Sequence, residues 1–340
     1  MAESRVRPLS GPSLAFGERA QVARRPSPLK RWGPPATLFA ATLVTTSFCG
    51  AFWAGSPLLV TDVPELLRHH ELGAVLRLGF PFAATLLAIL LSHELGHFFT
   101  AKYHRVETSP PYFIPMPLLV GTMGAIIRLR GRIPNRRALV DVGASGPLAG
   151  FLVGLPLFAW GVQHSPVEVM PPSPLSVPTG SLIGVVAQAL AGGTSSGGTV
   201  ILEGHSLLYQ ALIFAFHGQL APGMDLVPHP VAMAAWFGMF VTALNLLPVG
   251  QLDGGHVLYA VLGPRARTVG RVVVWTLVAL GVVGWLGWLV WAVLAGRLVG
   301  TRHPPVEDPT VELGRARRWI AYAALALFVL TFAPVPLQVF

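Results

Sequence analysis

Charge is the first thing this sequence lacks. Charged residues make up 11% of its 340 residues, against about 25% in a soluble globular domain. A hydrophobic share of 53% fills the gap. A soluble enzyme or binding module is excluded, and an integral membrane protein is expected. Cysteine is nearly absent as well. Cys49 is alone, so an intrachain disulfide and a thiolate metal cluster are both excluded. Lysine occurs twice and arginine 22 times, which hints at a GC-rich genome. From Arg137 to Arg265 no Lys or Arg intervenes.

The formal charge of +9 raises a nucleic-acid reading, and its distribution argues against one. Seven basic residues fall in the first 31 positions, and others cluster at 128–137 and 315–318. Basic clusters that flank apolar runs are topology signals. No nucleic-acid partner is expected; the lipid bilayer is.

Six apolar segments reach or approach the roughly 20 residues needed to cross a bilayer. They lie at about 36–57, 75–101, 138–161, 230–249, 269–297 and 318–334. The expected fold class is therefore an all-α polytopic membrane protein of about six transmembrane helices. Residues 1–32 read as a basic, disordered cytoplasmic arm. They lack the apolar core and small-residue cleavage site of a secretory signal; an organelle transit peptide stays open. The positive-inside rule puts 102–137 and 250–268 in the cytoplasm and 162–229 outside. It then puts 298–317 outside, against the charge of Arg302, Arg315 and Arg317. The short apolar stretch 206–216 is expected to be interfacial or re-entrant.

Inside the second apolar run stands His93-Glu94-Leu95-Gly96-His97. Ionisable groups at membrane depth are costly and mark function. On a helix, positions i and i+4 are about 40° apart and one turn apart along the axis. Both imidazoles can then reach one metal ion, with Glu94 beside it as general base. A zinc site of this type needs a third protein ligand. Asp253 is the candidate, in NLLPVGQLDGGH at 245–256, a segment broken by Pro248, Gly250, Gly254 and Gly255. Broken helices at membrane depth line protein cavities. The Asn245 carboxamide can bind substrate backbone or a developing oxyanion, or make an interhelical hydrogen bond. His256 can lie behind the ligands or at the surface, and it is not assigned as a ligand.

HELGH together with NLLPVGQLDGGH resembles the site-2 protease family of intramembrane zinc metalloproteases. The stretch 111–150 is similar to the branch that includes chloroplast gravitropism-and-greening proteases and their bacterial relatives, and the likeness spans about 92–264. The resemblance implies one Zn²⁺ held by His93, His97 and Asp253, with Glu94 as catalytic base and Asn245 in the catalytic set. It implies hydrolysis of a peptide bond in or near the transmembrane segment of a membrane-protein substrate, as in regulated intramembrane proteolysis. The expected organisation is a first transmembrane helix and outer loop (33–74), a metalloprotease core of three transmembrane helices (75–264) and two C-terminal transmembrane helices (265–340). The expected location is a bacterial inner membrane, with the N-terminus and active site toward the cytoplasm. A metal-binding transporter and an inactive scaffold are the alternatives.

Two further expectations come from the residues. Gly146, Gly150 and Gly154 recur every four positions, a small-residue face for close helix approach, here against the HELGH helix. Residues 118–130 mix β-branched residues and glycine, which suits a small β-hairpin at the membrane edge. An open strand there can take up an unwound substrate by strand addition.

Overall fold

The computed structural model describes residues 27–56, 66, 71–118, 120–169, 181–183, 185–186 and 201–339, and they are mostly helical. Three long helices form the first layer: α1 (Pro28–Trp53), α2 (Leu72–Tyr103) and α3 (Arg136–Gln163). Then follow α4 (Leu207–His217), α5 (Pro230–Asn245) and α6 (Asp253–Leu262). The chain closes with α7 (Ala266–Val283), α8 (Gly287–Val293) with a π-helical turn (Leu294–Val299), and α9 (Arg315–Thr331). Among the described residues, four helical stretches are long and apolar enough to cross a membrane: Arg31–Trp53, Leu72–Tyr103, Arg136–Gln163 and Asp253–Val283.

The expected six spans are thus not all single long helices. The stretch 230–249 is helical only to Asn245, and the chain then runs through irregular turns to Leu252. The stretch 269–297 is two helices. It breaks at Gly284, and α8 folds back on α7, with Gly281 against Leu289 and the Trp285 ring over Gly287. Both arms are apolar, so hydropathy alone reads them as one span. Helix α1 begins at Pro28, inside the segment assigned to the disordered arm; residues 1–26 lie outside the described residues. Helix α4 has 11 residues, too short to span, as its sequence indicates.

The fold-back changes sidedness. Residues 300–317 return to the end of the bundle where α3 starts. Asp308 bridges Asn135, Arg137 Nε donates to the Glu312 carbonyl at 2.8 Å, and Arg317 clasps the Asp141 carboxylate at 2.8–3.0 Å. The expectation that 298–317 faces away from 102–137 is therefore corrected. Its conflict with the arginine distribution disappears with it.

Among the described residues, eight short strands pair in twos. The hairpin is built from β1 (Glu107–Thr108), β2 (Tyr112–Pro115), β3 (Thr122–Ile126) and β4 (Leu129–Arg130). In it β2 pairs antiparallel with β3, and β1 with β4. Its first arm begins well before residue 118, where the sequence reading started it. The proline-rich composition of 110–117 hides a strand whose Phe113 is buried edge-on against Phe39 of α1. At the opposite end of the bundle β5 (Val167–Val169) pairs with β7 (Met224–Leu226), and β6 (Ile201–Glu203) with β8 (Leu337–Val339).

The main core lies where α2, α3 and α5 meet, around Phe82, Leu86, Ile89, Phe158, Trp236 and Met239. The glycine stripe of α3 faces α2 as its spacing predicts. A Cβ on Gly150 would stand 3.3 Å from His93 Cβ, one on Gly154 would run into Met239, and one on Gly146 would strike the His97 ring. Gly96 of α2 answers from the other side, its Cβ position 2.5 Å from the Ser145 carbonyl oxygen. Small residues on both helices let the backbones close up, which van der Waals packing in lipid requires.

Candidate metal centre

His93 and His97 occupy successive turns of α2 and are buried. Asp253 is the first residue of α6, brought to them by the irregular segment after α5. That segment leaves no room for side chains at Gly254 and Gly255. A Cβ on the first would meet the Leu246 carbonyl, and one on the second the Val249 carbonyl at 2.6 Å. Gly250 turns the chain with φ +54°, in the left-handed region that favours glycine.

Three donor atoms result. His93 Nε2 and His97 Nε2 are 3.1 Å apart, and Asp253 Oδ2 lies 3.2 Å from the first and 3.1 Å from the second. Among the described residues this is the one group of three able to hold a metal ion. Zinc bonds of about 2.0–2.2 Å at tetrahedral angles separate the ligand atoms by roughly 3.3–3.5 Å. The observed triangle is slightly tighter and fits.

The proton inventory points the same way. His97 Nδ1 sits 2.7 Å from the Val142 carbonyl oxygen, so Nδ1–H donates there and the Nε2 lone pair faces the triangle. A carbonyl behind a ligating histidine fixes its tautomer in this manner. One imidazole lone pair and a carboxylate oxygen then face each other across 3.1 Å. A cation among them relieves that repulsion.

Glu94 is buried, and its carboxylate comes within hydrogen-bonding reach of the Ile127 backbone N–H, just past β3. Asn245 ends α5 with Nδ2 3.5 Å from His93 Nε2, too long for a strong hydrogen bond. The five residues singled out by sequence thus come together from three helices. His256 stays out of the triangle. Its Nδ1 lies 2.6 Å from His303 Nε2, and the His303 ring stacks on Tyr259. Sequence reasoning missed Val142, Ile127 and His303. The first two act through backbone atoms that carry no residue signature, and the third lies 47 positions from its partner.

Comparison with known proteins agrees with this geometry. Residues 81–284 match the sequence model of peptidase family M50. A protein of Arabidopsis thaliana named probable zinc metalloprotease EGY1, chloroplastic, is 32% identical over 76% of this chain and 43% of its own length. Its namesake in Oryza sativa subsp. japonica is 28% identical over 96% of this chain and 55% of its own length. The Arabidopsis protein named probable zinc metalloprotease EGY2, chloroplastic, is 31% identical over 64% of this chain and 34% of its own length. The chain therefore spans about half or less of these relatives. Their names give no support to a bacterial inner membrane. No solved structure matches the chain. The matched stretch contains both the histidine pair and the aspartate that α6 brings to it, and the chain belongs to peptidase family M50.

Proposed function

We propose that the chain is a membrane-embedded zinc metalloprotease that hydrolyses a peptide bond in or near a transmembrane segment of its substrate. The observation that carries this reading is the His93–His97–Asp253 triangle beside a buried glutamate in an apolar bundle. His93, His97 and Asp253 would hold Zn²⁺, which supplies Lewis-acid polarisation of the scissile carbonyl when bound. Glu94 takes a proton from the attacking water on its carboxylate and delivers it to the leaving amine nitrogen. Val142 holds the His97 imidazole in register through its carbonyl. Asn245 steadies the substrate carbonyl with its carboxamide.

A helical substrate shields its peptide bonds and must unwind. Strand β3 suits this step. Met123 and Ile126 on it are exposed, and the backbone just beyond it reaches Glu94. A substrate added as a strand beside β3 comes to the base and the metal together. The chain lies in its membrane with the HELGH end toward the cytoplasm, supported by the arginines at 128–137, 302 and 315–318 gathered at that end. Counting α7 and α8 as a hairpin whose second arm returns to the end where the first began keeps the whole set on one side. The organisation proposed from sequence, with a core at 75–264, is retained with that change.

The test is metal content and cleavage measured together on the purified chain, with a generic transmembrane substrate. Wild type and Glu94→Gln should each carry about one zinc per chain, and Asp253→Ala should lose it. Cleavage by Glu94→Gln should fall by at least about 10²–10⁴-fold. Full activity in Glu94→Gln with zinc retained would sink the protease reading and leave a structural or transported metal.

A further inference from the structure

The α7–α8 fold-back encloses a groove that the proposed proteolysis does not use. The groove has a volume of about 560 Å³ and runs between α7 and the α8–π segment. Val274, Val278, Leu289 and Val293 wall it, and Arg271 and Arg297 also line it. Arg271 lies in the first turns of α7 and Arg297 in the π turn that ends α8. Both therefore stand toward the end where Thr301 approaches Gly270, the same end that carries the other arginines. Both are exposed, and neither has an ion-pair partner among the described residues. Among the described residues no acidic one lines the groove. Trp275, 72% exposed, borders it and also borders an open hollow along the surface of α7 itself, again shared with Arg271.

An unpaired arginine beside apolar walls needs an anion or the interface. Its stem can lie along the groove while the guanidinium reaches the headgroup level. The planar fork matches phosphate oxygens two at a time. Tryptophan favours that same depth. The two adjacent helix faces limit the occupant further. A single hydrocarbon chain is thin enough to run the length of the groove.

We propose that Arg271 and Arg297 bind the phosphate of an anionic phospholipid, with one acyl chain in the groove between α7 and α8 and Trp275 dividing it from the second chain. The site rests on the membrane placement of the chain and not on its proteolytic activity. Basic pockets between membrane helices hold lipid headgroups in this way.

The test is native mass spectrometry of the full chain, delipidated in detergent and offered equimolar phosphatidylglycerol and phosphatidylcholine. Wild type should retain phosphatidylglycerol over phosphatidylcholine by roughly 10–30-fold, about what two arginines supply at a membrane surface. Arg271→Gln with Arg297→Gln should bring the ratio close to parity, and the paired lysine variant, which keeps the charge and loses the two-point fork, should fall between the two. Val293→Trp, which fills the groove and keeps both arginines, should lose bound lipid. Millimolar inorganic phosphate should not displace the lipid from wild type. A wild-type ratio near parity, or a glutamine pair that keeps the preference, overturns the site. Displacement by free phosphate with Val293→Trp unaffected also overturns it, leaving an anion site without a chain groove. Zinc content measured on the same samples separates the two readings. A chain that holds no zinc but keeps the lipid ratio refutes the metalloprotease and leaves the lipid site standing.

Discussion

At the scale of single residues, the metal centre depends as much on what is missing as on what is present. Gly146 has no side chain, and a Cβ there would occupy the space of the His97 ring. Gly146→Ala should push the His97 imidazole off the Val142 carbonyl and off the triangle. Disturbing such a support costs roughly 10–100-fold in metal affinity. Competition with a chromophoric chelator would measure it, with Gly73→Ala as control, since nothing lies within 4 Å of a Cβ there. Equal affinities in the two variants would refute the support role. The HELGH signature was legible because both histidines and the glutamate sit on one helix at fixed spacing. The Val142 carbonyl was not, because every residue has one, and only the approach of α3 selects this one.

At the scale of elements, the β2–β3 hairpin is fastened to α1 at its turn. Gly121 has φ +84°, a Cβ on it would collide with the Thr46 backbone, and its carbonyl accepts from Thr45 Oγ1 at 2.7 Å. Gly121→Val is strained in backbone and in space. The substitution should tilt the hairpin away from α1 while leaving the triangle intact. If β3 receives the substrate, KM for a transmembrane substrate should rise several-fold with zinc content unchanged. Steady-state cleavage assays with parallel zinc analysis would check this. A drop in kcat alone would speak against strand addition. The hairpin's second arm was readable from its glycines and β-branched residues. Its first arm was not, because YFIPMP pairs only once a partner strand and the α1 surface are supplied.

At the scale of the whole molecule, the α7–α8 fold-back decides which loops share a side. Cys49 is buried, so it gives little background to a membrane-impermeant maleimide. Cysteines introduced at Gly131 and Thr310 should label from one side of sealed vesicles, and one at Gly223 from the other. Labelling of Thr310→Cys together with Gly223→Cys would refute the fold-back. The clasp of Arg317 on Asp141 and the bridge of Asp308 to Asn135 depend on the same arrangement.

The sequence by itself determined the membrane character, the HELGH helix and the close face of α3. Each follows from composition or from a period along one element, which the chain carries locally. The tertiary structure decided the rest. The fold-back at Gly284, the side on which 300–317 lies, the carbonyl behind His97 and the paired arginines of the groove all depend on which surfaces meet. Hydropathy sums over a window and cannot distinguish one long apolar helix from two short ones packed on each other. That difference is set by glycine contacts across the turn.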